Sequence, residues 1–167
     1  MSAEALYLTL RAAEELVALP VARVKEIFEP DFTTPLPGAP RAFRGVINLR
    51  GSVVPVVDLG VALGLAEAPR ADARWVVLLE LDVDGERTLL GLATDSVEEV
   101  VRLTAEEVES VPAFGTKVPA DHLLGLGNLR GSFVLLLDLD RALASVGVRA
   151  SATVAAASGE AARPPQS

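Results

Sequence analysis

The chain has 167 residues, half of them hydrophobic, with 23 acidic and 15 basic side chains and a net charge of −8. It contains no cysteine and one histidine. That composition excludes disulfides, thiolate catalysis, cysteine-ligated zinc and any multi-histidine metal site within one chain. The acidic balance argues against nucleic-acid binding, which uses a basic face. No apolar run approaches the roughly 20 residues of a membrane-spanning helix, and the N-terminus lacks the basic start of a signal peptide. We therefore expect a soluble cytoplasmic protein without cofactors.

Short strands dominate the elements predicted along the chain. Residues 5–10 alternate partly between apolar and polar, and a second apolar piece follows at 16–19. Residues 53–59 and 133–139 are near-continuous apolar runs, which are typical of strands buried on both faces. Many short strands separated by turn signals favour barrels or a sandwich.

A hairpin is predicted in the middle of the chain. Residues 75–81 and 87–93 flank Asp84-Gly85, a strong two-residue turn signal. Trp75 begins the first of these strands, and we expect it in the core. Short helices are predicted at residues 60–65, 104–109 and 140–146. Thr104 and Glu107 have the spacing of a capping box.

The chain divides into one domain and a tail. Residues 1–149 are predicted to form the domain. Residues 150–167 consist largely of Ala, Ser, Gly and Pro, and they cannot bury enough apolar surface to offset their conformational entropy. We expect this tail to be disordered and dispensable for folding and binding.

An internal repeat organises the domain. Residues 45–63 align without gaps to residues 125–143, with 11 of 19 positions identical, and each segment contains Asn-Leu-Arg-Gly and then Asp-Leu. A weaker echo relates residues 24–28 to 97–101. Two units are too few for a solenoid, so the repeat predicts two similar small barrels that pack on each other.

The Asn-Leu-Arg-Gly unit predicts a tight hairpin. Asn48 tolerates turn conformations, and Gly51 adopts positive φ without a Cβ clash. Leu49 is then expected in the core and Arg50 at the exposed tip.

Two aspartates recur at the ends of the repeated strands. Asp58 and Asp138 are predicted to cap the helices that follow them. One carboxylate from each half also suggests an aspartic-protease dyad, but Leu59 and Leu139 stand where those enzymes carry Thr or Ser, so an enzyme is disfavoured.

Several separate segments together resemble the CheW-like family of chemotaxis coupling proteins. The resemblance covers about residues 5–147. The matching segments are residues 19–27, 36–40, 44–51, 54–59, 91–97 and 123–125.

This resemblance implies an all-β fold of two five-stranded SH3-like β-barrels around a shared hydrophobic core, with short helices. It also implies a non-catalytic adaptor. Its partners would be the cytoplasmic tip of chemoreceptors and the regulatory domain of a CheA-type histidine kinase, which would associate it with membrane receptor arrays. An alternative is that the same module binds a different partner in a motility or second-messenger pathway.

Site residues carry over by position from the resemblance. Those that match receptor-binding positions are Val24, Glu26, Gly45 and Arg50, and within this set we expect Glu26 to pair with Arg50. Those that match kinase-binding positions are Ile27, Arg44, Val53 and Phe114. The neutral Ala113 departs from the charged residues common near Phe114. Arg130 repeats the local sequence of Arg50 without the same match, so we expect it to be a solvated turn residue.

Overall fold

The computed structural model describes residues 4–31, 33–71, 73–83, 85–112 and 117–144. The described chain forms eleven strands and two short α-helices. The strands are β1 (Glu4–Ala12), β2 (Glu15–Pro20), β3 (Val24–Phe28), β4 (Phe43–Leu49), β5 (Ser52–Asp58), β6 (Trp75–Val83), β7 (Glu86–Thr94), β8 (Ser96–Thr104), β9 (Val108–Glu109), β10 (Leu123–Leu129) and β11 (Ser132–Leu137). The helices are α1 (Leu59–Ala62) and α2 (Leu139–Ala144), and one-turn 3-10 segments occur at Val21–Arg23, Ala105–Glu107 and Ala120–His122.

The strands form two sheets of matching order. The first lobe is the five-stranded sheet β3-β6-β7-β5-β4, and the second lobe is the six-stranded sheet β8-β1-β2-β11-β10-β9. The repeat relates β4 and β5 to β10 and β11, and the weaker echo relates β3 to β8. Except for the two-residue β9, the lobes therefore share one strand order. The all-β, two-lobed prediction is confirmed, although the sheets are curved and not closed into barrels.

The structure shows how the hairpins are distributed between the two lobes, which the repeat alone did not indicate. The hairpin β1–β2, which comes first in the chain, lies in the second lobe beside β8 and β11. The hairpin β6–β7, from the second half, lies in the first lobe beside β3 and β5. The two halves of the sequence thus exchange hairpins.

A shared apolar core joins the lobes. One buried cluster contains residues from both lobes and has fully buried side chains at its centre. Its members include Leu10 and Leu19 of the second lobe and Leu79 and Leu92 of the first. Burial of one such leucine contributes about 1.5–3 kcal/mol. The lobes are therefore fixed to each other by the same cluster that folds them.

A polar network reinforces this junction. The Asp95 carboxylate accepts a hydrogen bond from the Ala13 N–H at 3.1 Å, and it lies 2.5 Å from Nη2 of Arg70. Ala13 and Glu14 form the turn between β1 and β2 with positive φ of 50° and 75°. Neither Ala nor Glu is a usual turn signal, so a two-residue turn at this place could not be predicted from residue type.

Local predictions are confirmed at several places. Val83 pairs with Glu86 in the β6–β7 hairpin, and Gly85 between them has a positive φ of 83°. Thr104 and Glu107 form the capping box, although the segment it starts is one 3-10 turn. The prediction that Trp75 lies in the core is wrong, because this residue is 37% exposed. It is the first residue of β6, and full cover of that strand begins only at the next position.

The predicted tail, residues 150–167, lies outside the described residues. Its disorder and its dispensability for folding and binding therefore stay predictions.

Candidate partner-binding site

The two edge strands of the first lobe are bridged by an ion pair. Glu26 lies on edge strand β3, and Arg50 lies at the hairpin tip that follows the other edge strand, β4. Nη2 of Arg50 donates to Oε1 of Glu26 at 2.6 Å. The predicted pairing is confirmed, and it spans the opening of the sheet.

The hairpin tip fixes where Arg50 points. Leu49 pairs with Ser52, so Arg50 and Gly51 form a two-residue turn with φ of 51° and 88°. Two positive φ values are those of a type I′ turn. Oδ1 of Asn48 accepts the Gly51 N–H at 3.0 Å and stabilises this turn. Arg50 itself takes the left-handed conformation, a role the sequence suggested only for Gly51.

Exposed apolar side chains lie on the strands that carry this ion pair. Ile27 follows Glu26 on β3 and is 40% exposed, and Val53 follows the hairpin on β5 and is 44% exposed. Exposed apolar groups beside an oriented charge are the usual composition of a protein-binding surface. The first lobe therefore offers a surface suited to docking another protein.

The ion pair shifts the ionisation of both partners. The hydrogen bond from Arg50 is the main reason that the pKa of Glu26 lies below its ordinary value of 4.5, and the bond to Glu26 in turn raises the pKa of Arg50. A lowered carboxyl pKa stabilises the fold above the unfolded pKa, and that contribution is lost as the pH falls through the folded value.

We accordingly expect Glu26 to titrate below pH 4.5 in an NMR titration of its carboxyl carbon. In Arg50→Ala the midpoint should rise toward the ordinary value, because the donor is gone. An unchanged midpoint in the variant would contradict the pair.

The second lobe repeats the arrangement. Nη2 of Arg130 donates to Oε2 of Glu99 at 2.7 Å, and Oδ1 of Asn128 accepts the Gly131 N–H at 3.1 Å. Glu99 aligns with Glu26 in the weak echo between residues 24–28 and 97–101. The prediction that Arg130 is simply solvated is therefore incomplete, since it has an acidic partner that the same echo could have indicated.

Exposed apolar residues also occur close in sequence to the second pair. Val100 and Phe133, at positions equivalent to Ile27 and Val53, are 54% and 52% exposed. Each lobe thus presents an ion pair across its sheet edges, with apolar groups nearby.

The other predicted receptor-site residues have local roles. Val24 is half-buried and packs against the shared core. Gly45 is buried in β4 with φ of 143°, directly beneath the segment that contains Thr34.

Two further predicted kinase-site residues have different outcomes. Arg44 lies on β4, is half-buried, and donates to the Ala73 carbonyl. Phe114 lies outside the described residues. Seven of the eight predicted site residues are therefore in the first lobe, and the structure does not describe the eighth.

The two repeated aspartates cap helices, as predicted. Asp58 is fully buried; its Oδ1 accepts the Val61 N–H at 3.2 Å, and its Oδ2 accepts the Arg70 N–H at 3.0 Å. Oδ1 of Asp138 accepts the Arg141 N–H at 3.2 Å. Each carboxylate thus has a structural role at the start of the helix that follows it.

Within the described residues there is no group of three or more His, Cys, Asp or Glu side chains arranged to hold a metal ion. Among the helices of that same part of the chain, none is long and apolar enough to span a membrane.

Comparison with known proteins agrees with this geometry. The CheW-like domain model matches residues 6–147. Chemotaxis protein CheW from Klebsiella aerogenes is 30% identical over 139 residues, covering 83% of this chain and 81% of the relative. Protein FrzA from Myxococcus xanthus is also 30% identical, over 148 residues, covering 87% and 89%.

A solved structure shares the fold. The crystal structure of the scaffolding protein TtCheW from Thermoanaerobacter tengcongensis superposes with a TM-score of 0.69 at 25% identity, covering 82% of this chain and 86% of the other. The two-lobed fold is thus shared with a scaffolding protein. The chain belongs to the CheW-like domain family and is a chemotaxis adaptor.

Proposed function

We propose that this chain couples chemoreceptors to a CheA-type histidine kinase by binding both and catalysing nothing itself. The first lobe supplies the docking residues for both partners. Binding to the cytoplasmic tip of the receptors would hold the chain in membrane-associated arrays on the cytoplasmic side.

The observation that carries the proposal is the concentration of the candidate residues on neighbouring strands of one lobe. Glu26 and Arg50 supply an oriented charge, which gives specificity more than affinity. We assign the receptor tip to this pair, with Val24 half-buried beside it on β3. A receptor tip is a helical hairpin, and its apolar face requires an apolar surface of this kind.

The kinase is assigned to the exposed apolar side of the same lobe. Ile27 and Val53 provide apolar surface that would lose its water on binding, and Arg44 provides a charge near the rim of that surface. Phe114 is proposed as a second kinase contact, on the basis of sequence position alone. Such a division lets one adaptor hold both partners at once.

A co-sedimentation experiment tests the proposal. Receptor fragments assembled on vesicles should pellet the kinase only when this chain is present. Kinase that pellets equally without the chain, or that stays in the supernatant with it, would contradict the adaptor role. Pairwise calorimetry would then report which contact fails.

A further inference from the structure

Gly45 lies where a neighbouring segment pairs with β4. An added Cβ would sit 2.0 Å from the Thr34 carbonyl oxygen and 2.9 Å from Cα of Pro35. At those separations real atoms do not coexist, so any side chain at this position displaces the segment above it. The φ of 143° adds a second penalty for any residue other than glycine.

The displaced segment links the two edges of the first lobe. We name residues 29–31 and 33–35 the strap. It leaves the end of β3 and pairs with β4, where the Thr34 N–H donates to the Val46 carbonyl at 2.9 Å and the Val46 N–H donates to the Thr34 carbonyl at 2.8 Å. These are backbone bonds of a single antiparallel bridge.

The opening of the first lobe is therefore bridged at two places. One is the strap, at Val46. The other is the Glu26–Arg50 ion pair, which joins β3 to the hairpin that begins where β4 ends. The strap continues directly from β3, and its backbone bonds to Val46 hold it on β4. These bonds therefore help to fix the spacing between β3 and β4, and the ion pair forms across that spacing.

We propose that Gly45 is a positioning residue that acts on receptor binding through the strap and the Glu26–Arg50 pair, without touching the receptor. This inference rests on the proposed function and changes the role of Gly45 within it. A buried glycine covered by Thr34 has no surface to offer a partner. Its contribution is the absence of a side chain.

The second lobe supports the same reading. Gly125 aligns with Gly45, and an added Cβ there would lie 2.8 Å from the Glu109 carbonyl oxygen of β9. β9 pairs antiparallel with β10, as Thr34 of the strap pairs with Val46 of β4. Each lobe thus has a glycine where the paired strand or segment leaves no room for a side chain.

Two variants that open the strap by different routes test the proposal. Gly45→Ala pushes the strap away, whereas Thr34→Pro removes the N–H that the strap donates to Val46 and leaves Gly45 intact. The controls are Thr34→Ala, which keeps the backbone bond, and Gly85→Ala, which has a positive φ of 83° but open space around it. Thermal unfolding shows whether each variant folds.

Three readouts follow each variant: amide exchange at Val46, the NMR titration midpoint of Glu26, and receptor-fragment affinity by calorimetry. We expect Gly45→Ala and Thr34→Pro each to speed Val46 exchange, to raise the Glu26 midpoint, and to weaken binding by about tenfold, the scale of losing an oriented interfacial charge. The double variant should lose no more than either single variant. Both controls should match the parent chain.

The inference is overturned if Thr34→Pro exposes the Val46 amide while the Glu26 midpoint and the affinity stay unchanged. It is equally overturned if Gly45→Ala weakens binding with the midpoint unmoved, since that result indicates direct contact. If Gly45→Ala does not fold, Thr34→Pro alone decides the question. Failure of the parent chain to bind any receptor fragment would count against the proposed function, whereas the Glu26 titration tests the strap without a partner.

Discussion

Replacing Arg50 with alanine will weaken receptor binding by on the order of ten- to a hundredfold and will leave the melting temperature almost unchanged. The side chain is largely exposed, so its removal costs the fold little. At an interface the same guanidinium, oriented by Glu26, becomes desolvated and specific. Calorimetry with a receptor-tip fragment measures the loss.

The second lobe provides the matched control for Arg50. Arg130 has the same turn, the same neighbours in sequence and an equivalent acidic partner. Arg130→Ala should therefore change receptor affinity much less. Glu26→Ala and Arg50→Ala should be non-additive, because the two side chains act as a unit. Equal losses at Arg50 and Arg130, or no loss at either, would refute receptor recognition by the first lobe.

Replacing Val53 with glutamate should weaken kinase binding by about 2 kcal/mol or more. The valine is nearly half exposed in the free chain, and a carboxylate there would be buried unpaired in the complex. The control is Phe133→Glu, at the equivalent exposed position of the second lobe. A titration in which a folded Val53→Glu variant binds the kinase normally would place the kinase elsewhere.

What the sequence revealed was mainly local. The Asn-Leu-Arg-Gly hairpins, the helix caps at Asp58 and Asp138, and the turn containing Gly85 depend on residues within a few positions of one another. Backbone freedom and side-chain hydrogen bonds decide such features, and both can be read from residue type. The Glu26–Arg50 pair was also anticipated, because the family resemblance brought the two residues to one site.

What the sequence did not reveal depended on distant pairing. Apolar alternation predicts that β1 and β2 form strands, but it does not say whether they join the sheet nearest in sequence or the other one. For the same reason the prediction that Trp75 is buried was wrong. Its residue type favours burial, but burial depends on which strands pack against the side chain. Gly45 was noticed for its position in a motif, whereas its packing beneath Thr34 required the structure.

The exchange of hairpins also determines how the chain can be divided. A break in the connection between α1 and β6 would leave one fragment with β1–β5 and another with β6–β11, and each would contain a hairpin whose place is in the other's sheet. Neither fragment could complete a lobe by itself, yet the two together would hold every strand that both lobes need. A division outside the run from β3 to β7 would act differently, because these strands are consecutive in the chain and make up the whole first sheet, inserted between β2 and β8. Only the second lobe therefore draws its strands from both ends of the domain.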